Sequence, residues 1–204
     1  MKKILLPLLF CATLSAGARQ YWALDPDGNA IEWKVDSSSY GHTDHIEMAG
    51  KQIATVLRYG INNDGSFGID KSLVFPMLRT IPNDTHASFQ RRVTHDIVKD
   101  LAIGRNPMKE KVKSIRIADG CLEVESHLNG NRMGELQLIR RYFPSTDNRG
   151  FIELYTAKNI GNNAVELEIP SIDMRLTTNA AEGIDAPFTV HVTSAGKGGV
   201  ALAP

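Results

Sequence analysis

Cysteine is scarce in this 204-residue chain, tryptophan occurs twice, and neither sign of charge is in excess, with 23 basic residues against 23 acidic. Each shortage excludes something. Cys11 sits in an N-terminal apolar run that is expected to be removed, so Cys121 is left without an internal disulfide partner. The mature fold therefore has to stand on its core. Balanced, interspersed charge gives no basic footprint for nucleic acid and no polybasic segment for anionic lipid. No apolar run reaches the roughly 20 residues that a membrane-spanning helix needs, so no stable membrane insertion is expected once the leader has gone. No Gly-x-Ser-x-Gly elbow occurs, and Gly65-Ser66-Phe67-Gly68 misses its spacing. No glycine loop of phosphate-cradling type links a strand to a helix.

What is present begins with an export signal. Lys2 and Lys3 supply a positive start, Ile4 to Leu14 an apolar stretch, and Ala16-Gly17-Ala18 a small-x-small cleavage site. Pro7 and the lack of an amphipathic period argue against a buried helix there. Phe10 before Cys11, where a small residue would be expected, argues against lipid attachment. Cleavage after Ala18 is expected, with a periplasmic or secreted destination. Loss of Lys2 and Lys3 moves the net charge to about −2. Residues 19–204 are enough for one domain with a sizeable core.

Beyond residue 19 the dominant period is two, the period of strands. Tyr21 to Leu24 and Ile31 to Val35 flank Asp25-Pro26-Asp27-Gly28-Asn29, and residues 51–61 and 67–75 flank Asn63-Asp64-Gly65-Ser66. Val112, Ile115 and Ile117 lead into Ala118-Asp119-Gly120, with Leu122 and Val124 alternating beyond it. Glu135 to Tyr142, Phe151 to Ala157, Ala164 to Ile169 and Phe188 to Val192 continue the pattern. Ser88 to Ile103 fits both periods and reads as a strand running into a turn or short helix. Short strands with frequent turn signals predict an all-β chain, an antiparallel sandwich or barrel with at most one short helix; the expectation settled on is an antiparallel, supersandwich-like β-sandwich. Ala195 to Gly199 reads as a turn or linker and Val200 to Pro204 as a stub, so the domain is expected to be truncated at its C-terminus.

Few constellations carry chemistry. His42-Thr43-Asp44-His45-Ile46-Glu47 holds four possible metal ligands, but a strand would split them between two faces. It reads as a solvated polar edge. Asp25 to Asp36 lacks the glycine and the final glutamate of a calcium loop, and Asn62 to Gly65 fails similarly, so both read as hairpin turns. No metal or other cofactor is expected. Cys121 falls at a tight hairpin with nothing to lower its pKa. Glycoside hydrolysis needs two carboxylates at a set separation, and the sequence singles out no pair. The segment from Pro76 to Arg92 is richer. Arg79, Asn83, Asp84 and His86, followed by Arg91 and Arg92, offer donors and acceptors suited to sugar hydroxyls or a carboxylate.

From Val74 to Ser88 the sequence runs Val-Phe-Pro-Met-Leu-Arg-Thr-Ile-Pro-Asn-Asp-Thr-His-Ala-Ser. This stretch resembles the N-terminal β-sandwich region of bacterial six-hairpin glycosidases, the (α/α)₆-barrel enzymes that include α-L-rhamnosidase-like families. Ile46 to Gln52 and Ala157 to Val165, a strand–turn–strand unit with a Lys-Asn-x-Gly core, are similar to other parts of that region. The resemblance implies a sandwich that packs against a helical barrel carrying the general acid and base, so it transfers no catalytic residue to this chain. It implies an oligo- or polysaccharide as partner, with Arg79, Asn83, Asp84 and His86 as substrate-binding candidates on loops beside the sugar site. On this reading the chain alone is not catalytic, and glycosidase activity belongs to a longer protein. Two further readings stay open. One is a stand-alone carbohydrate-binding module, with Trp22, Trp33, Tyr40 or Tyr59 as the stacking platform. The other is an inert product of a shortened gene.

Overall fold

A computed structural model of the chain describes residues 20–75, 89–103, 106–130, 134–169, 171–178, 188–194 and 200–202. Their regular structure is antiparallel β-strand, interrupted by two 3₁₀ turns, Ser37–Ser39 and Ile97–Asp100. The sandwich expected from the alternation is the fold. Its larger layer is a six-stranded sheet in the order β1 (Trp22–Leu24), β2 (Ile31–Lys34), β9 (Lys109–Ala118), β10 (Cys121–Asn129), β11 (Glu135–Pro144) and β12 (Phe151–Asn159). The facing layer is a meander of β3 (Thr43–Ala49), β4 (Ala54–Ile61), β5 (Phe67–Phe75) and β6 (Phe89–Val93). Two smaller sheets close one end. One runs β16 (Val200–Leu202), β13 (Val165–Glu168), β7 (Ala102–Ile103), β8 (Asn106–Pro107), and the other pairs β14 (Asp173–Thr178) with β15 (Phe188–Thr193). The Val200–Leu202 stretch, a stub on sequence grounds, thus pairs as a strand with β13.

The turns follow their chemistry. Asp119 and Gly120 both have positive φ, 51° and 70°, as a two-residue hairpin turn between β9 and β10 demands. Asp25 closes its own turn by accepting from the amides of Asn29 at 2.9 Å and Ala30 at 3.3 Å, and Arg116 binds its other oxygen at 2.8 Å. Asp64 accepts from the amide and hydroxyl of Ser66, at 3.0 and 2.6 Å. Both acidic stretches are hairpin turns, as the sequence suggested.

One irregularity sets the core. In β9 the register with β10 slips after Ser114, so Lys113 is an extra residue opposite Glu125 and Ser126, and its carbonyl accepts from the Val35 amide at 2.9 Å. A one-residue bulge exchanges the faces of a strand. Ile115 and Val112, three residues apart, are therefore both buried against the meander, and Glu110 is carried inward behind them.

The core divides into three apolar clusters. The first joins Trp33, Leu57, Phe67, Ile115, Leu122 and Tyr142 between the two main layers. The second gathers Ile97, Leu101, Ile103, Leu128, Leu136, Leu138, Val165 and Leu167 at the end closed by β7 and β13. The third, smaller cluster is Ile53, Leu73, Phe75, Val93 and Val190, where the β14–β15 pair meets the meander. Each fully buried side chain of this kind contributes about 1.5–3 kcal/mol of transfer free energy.

Candidate functional site: a cleft floored by buried charge

Charged residues stand in the apolar phase of three strands. β5 turns Phe67, Lys71, Leu73 and Phe75 inward, so Lys71 is buried in the middle of an apolar stripe. β11 does the same with Leu136, Leu138, Arg140 and Tyr142. β12 turns Phe151, Glu153, Tyr155 and Ala157 toward the same interior, with Tyr155 opposite Arg140 and Glu153 opposite Tyr142. A band of polar groups consequently runs through the interior, shared between the meander and the large sheet.

At one end of the band lies Arg140, completely buried. Its Nη2 donates to the Glu110 carboxylate and, at 2.8 Å, to the Ser126 hydroxyl, while its guanidinium lies 4.6 Å from the centre of the Phe67 ring. Ser126 donates to Glu110 at 2.6 Å, and the Phe67 amide donates to the other Glu110 oxygen at 3.1 Å. Asp96 faces the guanidinium at 4.0 Å and caps the Ile97–Asp100 turn by accepting from the Val98 amide at 3.1 Å. Burial opposes the charge on Arg140, but the facing carboxylates of Glu110 and Asp96 help to outweigh it, and its pKa is held above the usual arginine value.

At the other end, Lys71 donates to Glu153 and to the His95 carbonyl, both at 2.6 Å. The Tyr155 hydroxyl donates to the second Glu153 oxygen at 2.5 Å. Glu153 therefore has both oxygens engaged, whereas Lys71 has used two of its three donors. Burial raises the pKa of both Tyr142 and Tyr155 far beyond the physiological range, so these phenols stay protonated. The arrangement is a fixed set of donors and acceptors.

This second end forms the floor of a cleft of about 850 Å³. Leu73, Phe75, Val93, Leu138, Phe151 and Ala157 are among its apolar walls, with Lys71, His95, Glu153 and Tyr155 as converging polar groups. That combination of size, apolar lining and few polar groups is typical of ligand sites. A smaller hollow of about 390 Å³ beside Gly50, Ile117 and Phe143 has no buried ionic group.

The candidates from the sequence are distributed differently. Arg79, Asn83, Asp84 and His86 lie outside the described residues. The strands that carry their segment are described: Phe75 pairs with Phe89 across β5 and β6, and Phe75 is a wall of the cleft. Arg92 turns away and binds both Asp70 oxygens, with Nε at 2.9 and 2.7 Å. Of the four aromatic candidates, Trp33 and Tyr59 are core residues and Trp22 donates to Asp44 at 2.8 Å. Tyr40 alone among them is exposed, beneath the Lys111 ammonium at 5.2 Å. In the 42–47 cluster, His42 stacks on Tyr21 at 4.2 Å and meets Trp33 edge-on at 5.1 Å. Among the described residues no three His, Cys, Asp or Glu side chains stand together as a metal set. Burial raises the Cys121 pKa, which suits an inert thiol.

No family model, curated protein or solved structure matches the chain. Among the described residues no helix is long and apolar enough to cross a membrane.

Proposed function

We propose that this protein is the exported, non-catalytic β-sandwich domain of a carbohydrate-active enzyme, packing against a helical catalytic domain and lending loop residues to a sugar site. The observation that carries the reading is where the two flanking ends of the polar segment lie. The polar segment 76–88 grows from the paired residues Phe75 and Phe89, and Phe75 forms the wall of a large, open apolar cleft. Arg79, Asn83, Asp84 and His86 supply the sugar contacts, with planar and hydroxyl-matching hydrogen bonds rather than acid–base chemistry. Nearby uncovered apolar surface, including Ile152 at 40% and Leu154 at 47% exposure, is of the kind that marks an interaction face.

The test is enzymatic. The natural protein that contains this chain hydrolyses oligosaccharides or aryl glycosides, and Arg79→Ala and Asp84→Ala raise KM with little change in kcat. Absence of hydrolysis, together with silence of the chain across a broad glycan panel, would overturn the reading. Direct binding of glycans by the chain alone, abolished by Tyr40→Ala, would replace it with a binding module.

A further inference from the structure

We propose that the cleft is a slot for one extended polypeptide strand, donated by a partner protein and added to the free edge of β15. Successive side chains of a strand point to opposite faces. A surface touched by consecutive residues is therefore a strand's edge. Thr189 to Ser194 all line the cleft in unbroken succession, and among the described residues β15 pairs with β14 alone, on its other side. The second border is also an edge. β12 ends the six-stranded sheet, and residues 149–151 and 153–155 line the cleft as runs.

Such edges present rows of backbone N–H and C=O groups, which an aliphatic chain cannot satisfy and a strand can. Size agrees. Strand rise, strand spacing and sheet separation together allot about 160 Å³ to each residue of a packed strand. A cleft of about 850 Å³ thus holds roughly five residues, close to the six of β15. Energetics agree as well, because a two-stranded sheet such as β14–β15 is marginal by itself and a third strand steadies it.

The chemistry of the partner strand follows from the lining. Alternate side chains face Leu73, Leu138 and Ala157 and are apolar. Lys71 and Glu153 neutralise one another, as do His191 and Asp173 when the imidazole is protonated. Arg149 borders the cleft with no ion-pair partner among the described residues, so an acidic residue belongs at that end of the strand. This inference stands apart from the sugar reading and survives its failure.

The probe is a fluorescein-labelled peptide in which valine alternates with threonine behind one terminal aspartate, titrated into the mature chain by anisotropy. Saturable binding is expected, with hydrogen-exchange protection gained at every second amide of β15. N-methylating alternate peptide amides removes two or three hydrogen bonds and should weaken binding at least tenfold. Arg149→Glu, at an exposed position, should weaken binding about two- to fivefold, and a peptide carrying lysine for aspartate should recover it. The proposal is overturned if the N-methylated peptide binds equally well. It is also overturned if sodium laurate binds in the cleft while the peptide does not, or if the chain protects the β15 amides by dimerising without peptide.

Discussion

Replacing Arg140 with alanine probes the buried charge that divides the core. The guanidinium is fully buried and is the hydrogen-bonding counter-charge of Glu110, with Asp96 facing it at 4.0 Å. Its removal leaves two inward carboxylates without their cation and a void beside Phe67. Breaking a buried pair in this way costs about 3–5 kcal/mol. For a domain of this size each kcal/mol lowers Tm by about 2–4 °C, so a fall of roughly 6–20 °C is expected by calorimetry. The double replacement Arg140→Met with Glu110→Leu removes the pair together and should cost less than the two single replacements Arg140→Met and Glu110→Leu added, because the desolvation cost of the pair disappears with its attraction while Asp96 still lacks its cation. Urea unfolding of the parent, both single variants and the double variant gives the coupling energy. A loss below about 1 kcal/mol for Arg140→Ala, or additive effects in the double variant, would refute the account of the polar band.

Acid should destabilise the fold in a defined window. Asp70, Asp64 and Asp147 are held below 3.8 by hydrogen bonds, chiefly from Arg92, Ser66 and Lys51 respectively. The unfolded chain then binds protons at higher pH than the folded one, so this stability is complete above about pH 5 and is lost as pH falls through 3.8 and then through the lowered values. Thermal melts should show a plateau above that pH and a decline below it, and Asp70→Asn should make the decline shallower. Gly60→Ala should cost about 1–3 kcal/mol, since its new methyl would stand 2.4 Å from the His42 carbonyl oxygen and 2.9 Å from the Thr43 Cα on β3. A melting temperature unchanged in Gly60→Ala would show that β3 yields freely.

Strand alternation and turn chemistry were enough to reveal the hairpins and the all-β class, because each hairpin is closed by local groups such as Asp64 with Ser66 or Asp119 with Gly120. Even the β9 bulge leaves a trace, in the three-residue gap between Val112 and Ile115 where a strand would give two. The site was far less visible. Lys71, Arg140 and Glu153 each interrupt an apolar phase, at Phe67–Phe75, Leu136–Tyr142 and Phe151–Ala157, and that anomaly was the available signal. Reading it required knowing which strands face one another. Glu153 meets Lys71 across the sandwich at a separation of 82 residues, and no local pattern encodes that meeting. The short strands β7, β8 and β16 were similarly hidden, since two or three residues carry no period and tertiary pairing defines them.

The most direct test of the sugar-enzyme reading is an intact-mass and hydrolysis measurement on the native protein, isolated from its source with an antibody against this chain. The reading predicts a species heavier than the 22.4 kDa of this sequence by a helical domain, able to cleave glycosides, with KM raised by Arg79→Ala. A species no heavier than this sequence, inert toward every glycoside and silent on the glycan panel, would contradict it.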